Sequence, residues 1–119
     1  MHDSRGIIWI STYGNGLFAY DTAEDKLEHF LANINDKSHI ASDFLLYVME
    51  DRSGGIWVSS EYSGLSHISV LNEGTSRIYP ESPDLFDRSN TIRMLTKTSD
   101  GDIWFGTRRG GLYTIVLAL

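Results

Sequence analysis

The sequence predicts an all-β protein built of β-propeller blades. Tryptophan occurs at three positions, Trp9, Trp57 and Trp104, which are spaced by 48 and 47 residues. A glycine precedes each tryptophan by three residues, and a Gly-Leu pair begins seven residues after it. Matches at fixed offsets indicate an internal repeat, and a repeat of roughly 40–50 residues with one Trp is typical of a propeller blade. The repeated positions are Gly6, Trp9, Gly16, Gly54, Trp57, Gly64, Gly101, Trp104 and Gly111.

Each repeat reads as a series of short strands. The runs Ile-Trp-Ile, Ile-Trp-Val and Ile-Trp-Phe are β-branched and aromatic, with apolar residues on both faces, so each needs a covering layer on both sides. Glycine-containing stretches before and after these runs predict turns and hairpin tips. The predicted strands are 7–12, 16–21, 27–31, 44–50, 56–60, 64–70, 76–79, 91–97, 102–107 and 111–117.

The strands predict about two and a half four-stranded antiparallel blades in a single incomplete propeller spanning 1–119. With strands lettered A to D from the axis outward, the chain reads B-C-D in 1–41, A-B-C-D in 42–88 and A-B-C in 89–119. The alternative is an all-β sandwich with coincidental motifs. A sandwich does not need a Trp at every such interval, so the propeller is the favoured interpretation.

Composition excludes several functional classes. The chain of 119 residues has 10 Lys+Arg against 16 Asp+Glu, a formal net charge of −6, and no Cys. An acidic chain without a basic stripe is a poor candidate for binding nucleic acid or an anionic membrane. The lack of Cys excludes disulfides and thiolate catalysis. No apolar run is long enough for a spanning helix, and the first residues lack the apolar region of a secretory signal, so we expect no membrane insertion.

No catalytic, metal or cofactor motif is predicted. The sequence Asp100-Gly101-Asp102 lacks the later bidentate Glu of a calcium loop and is better explained as a turn. Acidic pairs such as Glu24/Asp25 are adjacent, and a strand would point them to opposite faces rather than across a sugar. The histidines share no metal-ligand spacing; they are His2, His29, His39 and His67. We therefore expect no metal, no cofactor and no enzymatic activity.

At these motifs the sequence resembles the two-component regulator propeller repeat. The resemblance rests on the residues from Asp51 through Trp57 to Gly64-Leu65, and on Asp100-Gly101-Asp-Ile-Trp104-Phe-Gly-Thr followed by Gly110-Gly111-Leu-Tyr. Such repeats form the extracytoplasmic sensor of hybrid two-component systems and recognise glycan-derived ligands. The resemblance implies a periplasmic or extracytoplasmic parent protein, of which this chain is a part or a truncated relative.

The hairpin tips between strands B and C are the candidate ligand site. In propellers these tips lie on the same face as the D–A connections, and here their residues differ from copy to copy, as expected of specialised loops on a shared scaffold. A Tyr ring offers a stacking surface, and an Arg fork can hold a carboxylate or sulfate. The alternative is that the tips carry polar residues only because they are exposed to water, with no ligand. The candidate residues are Tyr13, Asn15, Glu61, Tyr62, Arg108 and Arg109.

These observations predict a non-enzymatic ligand-sensing or interaction module, with an oligosaccharide as the expected ligand. Two alternatives stay open: part of a propeller enzyme, either a lyase or a glycosidase, and a structural or adhesive propeller. Two and a half blades leave apolar faces uncovered at both ends, and closed propellers have roughly 4–8 blades. Two chains supply six Trp-centred units, so the sequence predicts a head-to-tail homodimer that closes a six-bladed ring.

Overall fold

The computed structural model describes residues 1–33, 35–36, 38–69, 74–78, 90–108 and 111–116. These residues form an all-β structure, which confirms the predicted fold class. The ten strands are β1 (Ile7–Ser11), β2 (Leu17–Asp21), β3 (Lys26–Phe30), β4 (Leu45–Glu50), β5 (Ile56–Ser60), β6 (Leu65–Ser69), β7 (Gly74–Ile78), β8 (Ile92–Lys97), β9 (Ile103–Thr107) and β10 (Gly111–Ile115). Residues 70, 79 and 117, which were predicted as strand ends, lie outside the described residues.

The strands form three antiparallel sheets in the order of the chain. Strands β1 to β3 make blade 1, β4 to β7 make the four-stranded blade 2, and β8 to β10 make blade 3. The three sheets hold three, four and three strands, in agreement with the predicted fold class of about two and a half antiparallel blades. Among the described residues there is no helix long and apolar enough to cross a membrane.

The strand that carries the tryptophan is the second in the A-to-D order of its blade, and its register is the same in all three. Trp9 pairs with Ala19, Trp57 with His67 and Trp104 with Thr114. Because side chains alternate along a strand, each blade has two faces. The face that carries the tryptophan points to the next blade, because Trp9 packs on blade 2 and Trp57 packs on blade 3. We call it the trailing face. The opposite face of each blade is the leading face.

Two apolar clusters hold the blades together. The first joins the trailing face of blade 1 to the leading face of blade 2, and the second joins blade 2 to blade 3 in the same way. The buried members of the first cluster are Trp9, Leu17, Ala19, Ile40, Leu45, Ile56, Val58 and Ile68. Those of the second are Trp57, Leu65, Ile92, Ile103 and Phe105. The residues that repeat in the sequence are therefore the ones that pack between blades.

The two end faces carry the same residue types without a covering sheet among the described residues. Leu17 and Leu65 are 0% exposed on the trailing faces of blades 1 and 2, whereas Leu112 at the same position of blade 3 is 58% exposed. On the leading face of blade 1, Ile10 is 47% exposed, although its counterpart Val58 is 1% exposed. Both end faces thus have the composition of a blade interface.

Candidate functional site

The hairpin tips of blades 1 and 2 each lie against the connection that enters the next blade. The amides of Gly14 and Gly16 both donate to the carbonyl of Asp43, at 2.9 and 3.1 Å, and the amide of Gly64 donates to Asn90 at 3.1 Å in the next repeat. Gly16 has a φ of 76°, and a Cβ there would lie 2.3 Å from the carbonyl oxygen of Phe30. Glycine is therefore required where the tip approaches strand β3.

We call the surface formed by the hairpin tips the loop-tip face. Three side chains from two blades meet on it. Tyr13 is 63% exposed and Phe44 48% exposed, and their rings pack edge to face with centroids 5.1 Å apart. The hydroxyl of Tyr13 donates to a carboxylate oxygen of Glu61, which belongs to the tip of blade 2. The structure thus joins two predicted site residues, Tyr13 and Glu61, and adds Phe44, which the sequence pattern did not predict.

The carboxylate holds the Tyr13 ring in place. The hydrogen bond to Glu61 raises the pKa of the Tyr13 hydroxyl, with smaller contributions from desolvation and from nearby negative charge. A phenol in this state keeps its proton across the physiological range, so it acts as a neutral donor toward the carboxylate. The ring therefore offers a fixed, uncharged surface to solvent.

The other predicted site residues have different surroundings. Asn15 is exposed, and its backbone carbonyl lies 2.6 Å from Nε2 of His29. Tyr62 is half-buried, and Arg108 is exposed with its backbone amide 3.0 Å from the carbonyl of Thr91. Within the described residues no hydrogen bond of the Arg108 side chain is seen. Arg109, predicted as its partner, lies outside the described residues, so the predicted pair of guanidinium groups stays a prediction.

Each of the first two tryptophans is anchored by a buried aspartate six residues before it. In blade 1, the indole of Trp9 donates to Oδ2 of Asp3 at 2.8 Å, and in blade 2 Trp57 donates to Asp51 at 2.7 Å. The other carboxylate oxygen of Asp51 accepts from Ser53 and from the amide of Gly55. The aspartate therefore ties the turn to the tryptophan strand. Its signal in the sequence was the same Asp-to-Trp distance in two copies.

These hydrogen bonds decide the charge of both carboxyls. Burial acts to raise the pKa of Asp3, but donation from Trp9, Ile7 and Arg5 and the charge of Arg5 outweigh it, and the pKa is lowered. Burial likewise acts to raise the pKa of Asp51, and hydrogen bonds from Ser53, Trp57 and Gly55 lower it overall. Both groups are anionic at neutral pH.

Each buried carboxylate has one neighbouring cationic or titratable side chain, which comes from a different position in each blade. In blade 1, the guanidinium of Arg5 lies 2.9 Å from Oδ2 of Asp3. In blade 2 the residue equivalent to Arg5 is Ser53, and His67 approaches Asp51 instead, with Nε2 at 3.4 Å and its ring 4.4 Å from that of Trp57. The residue of blade 1 equivalent to His67 is Ala19.

Blade 3 lacks the anchor. The turn amides show that Thr98, rather than Asp100, occupies the position of Asp3 and Asp51, since Thr98 and Gly101 make the same backbone bonds as Asp51 and Gly54. The Thr98 hydroxyl is buried without a hydrogen-bond partner among the described residues. No carboxylate reaches Trp104 in the described residues, which is consistent with a half-buried Trp104 on an open face.

Within the part of the chain that the structure describes, no three histidine, aspartate or glutamate side chains converge as a metal site. The polar groups on the loop-tip face include the exposed phenol of Tyr13, the carboxylate of Glu61 and the amide of Asn15. Such groups bind by stacking and hydrogen bonding.

Comparison with known proteins supports the repeat and the fold. Residues 88–109, which hold most of blade 3, match the family described as "Two component regulator propeller". The predicted repeat type is confirmed for this segment. No curated protein matches the sequence.

Solved structures of other proteins share the fold, and three of them are extracellular domains. The chain superposes with a TM-score of 0.76 and 20% identity on the extracellular domain of the hybrid two component system BT3049 from B. thetaiotaomicron. That of BT4673 from the same organism gives 0.74 and 21%. A second structure of the BT4673 domain, described as a one component system, gives 0.71 and 17%. The matches cover 96% of this chain in the first two cases and 98% in the third, but only 16–18% of those chains. The chain thus spans about a sixth of the length of these relatives.

Proposed function

We propose that this chain is part of the extracytoplasmic sensor of a two-component signalling receptor, and that its loop-tip face binds a ligand without catalysing a reaction. The observation that carries the proposal is the cluster of Tyr13, Phe44 and Glu61, an exposed aromatic pair beside a carboxylate on a scaffold with the two component regulator propeller repeat. The extracellular domains that share the fold support the extracytoplasmic location.

The proposed ligand is a glycan-derived oligosaccharide. A sugar ring presents an apolar face of C–H groups and a rim of hydroxyls, and the loop-tip face offers the complementary groups. The rings of Tyr13 and Phe44 supply the apolar surface, and Glu61 and Asn15 supply acceptors and donors at its edge. Arg108 at the third tip adds a cation that would favour a carboxylated or sulfated unit.

The test is a glycan array probed with the full-length parent's extracellular region, displaying neutral and sulfated oligosaccharides. We expect Tyr13→Ala and Phe44→Ala each to lower binding of the captured sugar at least about tenfold, because the aromatic ring that would stack on the sugar is lost. The matched control is Tyr20→Ala. The Tyr20 hydroxyl also donates to a carboxylate, that of Asp25 at 2.7 Å, but at the opposite end of strand β2. Equal losses for all three variants, or no captured sugar, would contradict the proposal.

We also propose that the 119-residue chain, when it is separate from a parent protein, self-associates head to tail. The trailing face of blade 3 carries Trp104 and Leu112 at the positions of Trp57 and Leu65, and the leading face of blade 1 carries Ile8 and Ile10 at the positions covered in blades 2 and 3. A second copy therefore offers each end face the partner that the same residue types have between blades. The predicted result is a dimer that closes a six-bladed ring.

Light scattering at micromolar concentration tests the self-association. We expect a dimer, and a shift to monomer in Leu112→Glu because a charge is placed in the interface. The control is Phe44→Glu, which puts the same charge on an exposed aromatic of the loop-tip face and should leave the dimer intact. A monodisperse monomer for the unaltered chain, or a dimer that persists in Leu112→Glu, would overturn this proposal.

A further inference from the structure

Two arginines of blade 3 differ from the other arginines that the structure describes. Five arginines lie in the described part of the chain, and three of them donate to backbone carbonyls of neighbouring segments; these are Arg5, Arg52 and Arg77. The other two, Arg93 and Arg108, are exposed, and their side chains have no hydrogen bond or ion pair among the described residues. The chain has a net charge of −6, yet neither of these two cations is paired with a carboxylate of that part of the chain.

The two side chains start from neighbouring positions at the loop-tip end of blade 3. Ile92 on strand β8 pairs with Thr107 on strand β9. Arg93 follows the first of these residues, and Arg108 follows the second. The amide of Arg108 donates to the carbonyl of Thr91 at 3.0 Å, so the segment that carries Arg108 stays bonded to the strand that carries Arg93. The fold thus fixes the two arginines beside each other.

Arg93 is the extra residue of a β-bulge that repeats in blade 2. The register of β8 against β9 shifts between Ile92 and Met94, which leaves Arg93 between two consecutive pairs. In blade 2 the register shifts at the equivalent place, and the extra residue there is Leu46. The bulge is therefore part of the repeat, whereas the side chain that it carries is not. Bulges re-aim a side chain and are frequent beside binding sites.

The residue at the hairpin tip changes together with the residue of the bulge. Arg108 and Glu61 are equivalent, because each amide donates to the carbonyl two residues before the bulge of its own blade, at 3.0 and 3.1 Å. Blade 2 combines Leu46 with Glu61, whose carboxylate accepts from Tyr13. Blade 3 combines Arg93 with Arg108. The two blades thus present opposite charges at equivalent positions of the loop-tip face.

Two guanidinium groups match a sulfate ester better than they match a carboxylate. Each guanidinium presents five N–H donors in a planar fork. A carboxylate has two oxygens, and one fork can bind both of them. A sulfate ester has three terminal oxygens, so it can accept from two forks at once. An anion between two nearby cations also removes their mutual repulsion.

We propose that Arg93 and Arg108 together bind the sulfate group of a sulfated ligand, and that Arg93 determines the specificity of the loop-tip face. This inference rests on the proposed ligand-binding function and extends it. Tyr13 and Phe44 supply a stacking surface for a sugar with or without sulfate, and the arginine pair selects the sulfated one.

The first test uses inorganic sulfate and acetate as probes, added to the 119-residue chain at constant ionic strength. The Nε–H signals of the arginines are followed by NMR at mildly acidic pH, where these protons exchange slowly with water. Sulfate is expected to shift the signals of Arg93 and Arg108 saturably, with one common midpoint. The arginines that donate to backbone carbonyls should keep their signals. Acetate should bind at least about threefold more weakly, because one fork satisfies it.

Three variants test the role of Arg93. Arg93→Gln removes one guanidinium and should weaken sulfate binding about fivefold, as for the loss of an exposed ion pair. Arg93→Lys keeps the charge without the planar fork, so it should recover only part of the affinity. Lys26→Gln is the matched control, because it makes the same charge change at an exposed position of blade 1 and should leave sulfate binding unchanged.

Four results would overturn the proposal. Sulfate could shift no arginine signal, or it could shift all of the described arginines alike, as expected of general charge screening. The signals of Arg93 and Arg108 could titrate with different midpoints, which would place them in separate sites. Finally, Arg93→Gln could bind sulfate as tightly as Lys26→Gln does.

The second test separates this proposal from the proposed function, by use of the glycan array and the parent's extracellular region. Arg93→Gln should lose sulfated oligosaccharides and keep neutral ones, whereas Tyr13→Ala should lose both. If Arg93→Gln captures the same sugars as the unaltered protein, the arginine site is wrong and the proposed function stands. If the unaltered protein captures no sugar, the proposed function is wrong, and the sulfate titration still decides whether the arginine pair binds an anion.

Discussion

Introducing an aspartate at position 98 is expected to stabilise blade 3, because it restores an anchor that blades 1 and 2 possess. In blade 2, Asp51 accepts from the amides of Ser53 and Gly55, both at 2.9 Å, and from the indole of Trp57 at 2.7 Å. The equivalent donors in blade 3 are the amides of two turn residues and the indole of Trp104. Thr98 is too short to reach the indole, and its own hydroxyl is buried without a partner among the described residues.

The magnitude follows from these bonds. A hydrogen bond to a charged acceptor contributes roughly 1.5–3 kcal/mol when both groups are buried. The turn and Trp104 are partly exposed in blade 3, so the donors already bind water and the carboxylate must be partly desolvated. We expect Thr98→Asp to raise the free energy of unfolding by about 1–2 kcal/mol. Adding Asp100→Arg, which reproduces the Asp3–Arg5 pair of blade 1, should add up to about 1 kcal/mol.

Urea unfolding followed by Trp fluorescence measures the effect. Ser99→Asp is the control for charge, since it adds the same carboxylate at an exposed neighbouring position. Thr98→Val is the control for the hydroxyl, since it removes the buried unpaired group and supplies no acceptor. The carboxylate anchor is not the source of the added stability if Thr98→Asp is no more stable than Ser99→Asp. The same conclusion follows if Thr98→Val raises the free energy of unfolding as much as Thr98→Asp does.

Three further predictions concern the anchors and the tips. The pKa of Asp51 in the folded state is lower than its ordinary value of 3.8, so the carboxylate stabilises the fold fully above pH 3.8 and loses this effect as the pH falls through the folded pKa. Urea unfolding from pH 7 to pH 2 should show this loss of stability. The pH dependence should be smaller in Asp51→Asn. Tyr13→Phe removes the bond to Glu61, so spectrophotometric titration should lose one tyrosine from the high-pH end while unfolding changes by under ~1 kcal/mol. Gly16→Ala should lower the free energy of unfolding, measured in urea, by more than about 2 kcal/mol. The loss should be clearly larger than that of Gly6→Ala, because a Cβ at Gly6 meets nothing within 4 Å. Equal losses would show that only the backbone conformation of the two glycines matters.

Much of the fold was predictable because the repeat makes each strand of a blade visible two or three times. A single run such as Ile56-Trp57-Val58 is ambiguous, but its recurrence beside the same glycines fixes both the strand and its neighbours. The hairpin tips could be predicted for the same reason. The positive φ of Gly54, 87°, and its equivalents shows why the turn glycine recurs.

The contacts between repeats were less predictable, because they depend on residues that do not repeat. Phe44 corresponds to Thr91 in the next copy, so nothing in the pattern singled it out as the ring that packs on Tyr13. The position of Thr98 was obscured by Asp100, which offers an aspartate near the right place but two residues too late. The bonds of the turn amides, rather than residue type, establish the correct alignment.

Where the copies differ, the residues beside the buried carboxylate differ together. A buried carboxylate needs a nearby cation or several hydrogen-bond donors. In blade 1 the guanidinium of Arg5 lies 2.9 Å from Asp3, whereas in blade 2 the residue at the position of Arg5 is Ser53, whose hydroxyl and amide both donate to Asp51. Blade 3 has Thr98 in place of the aspartate, and its hydroxyl has no hydrogen-bond partner among the described residues. The repeated residues thus maintain the packing between blades, and a position that does not repeat, Phe44 at the tip, gives this chain the exposed ring that packs on Tyr13.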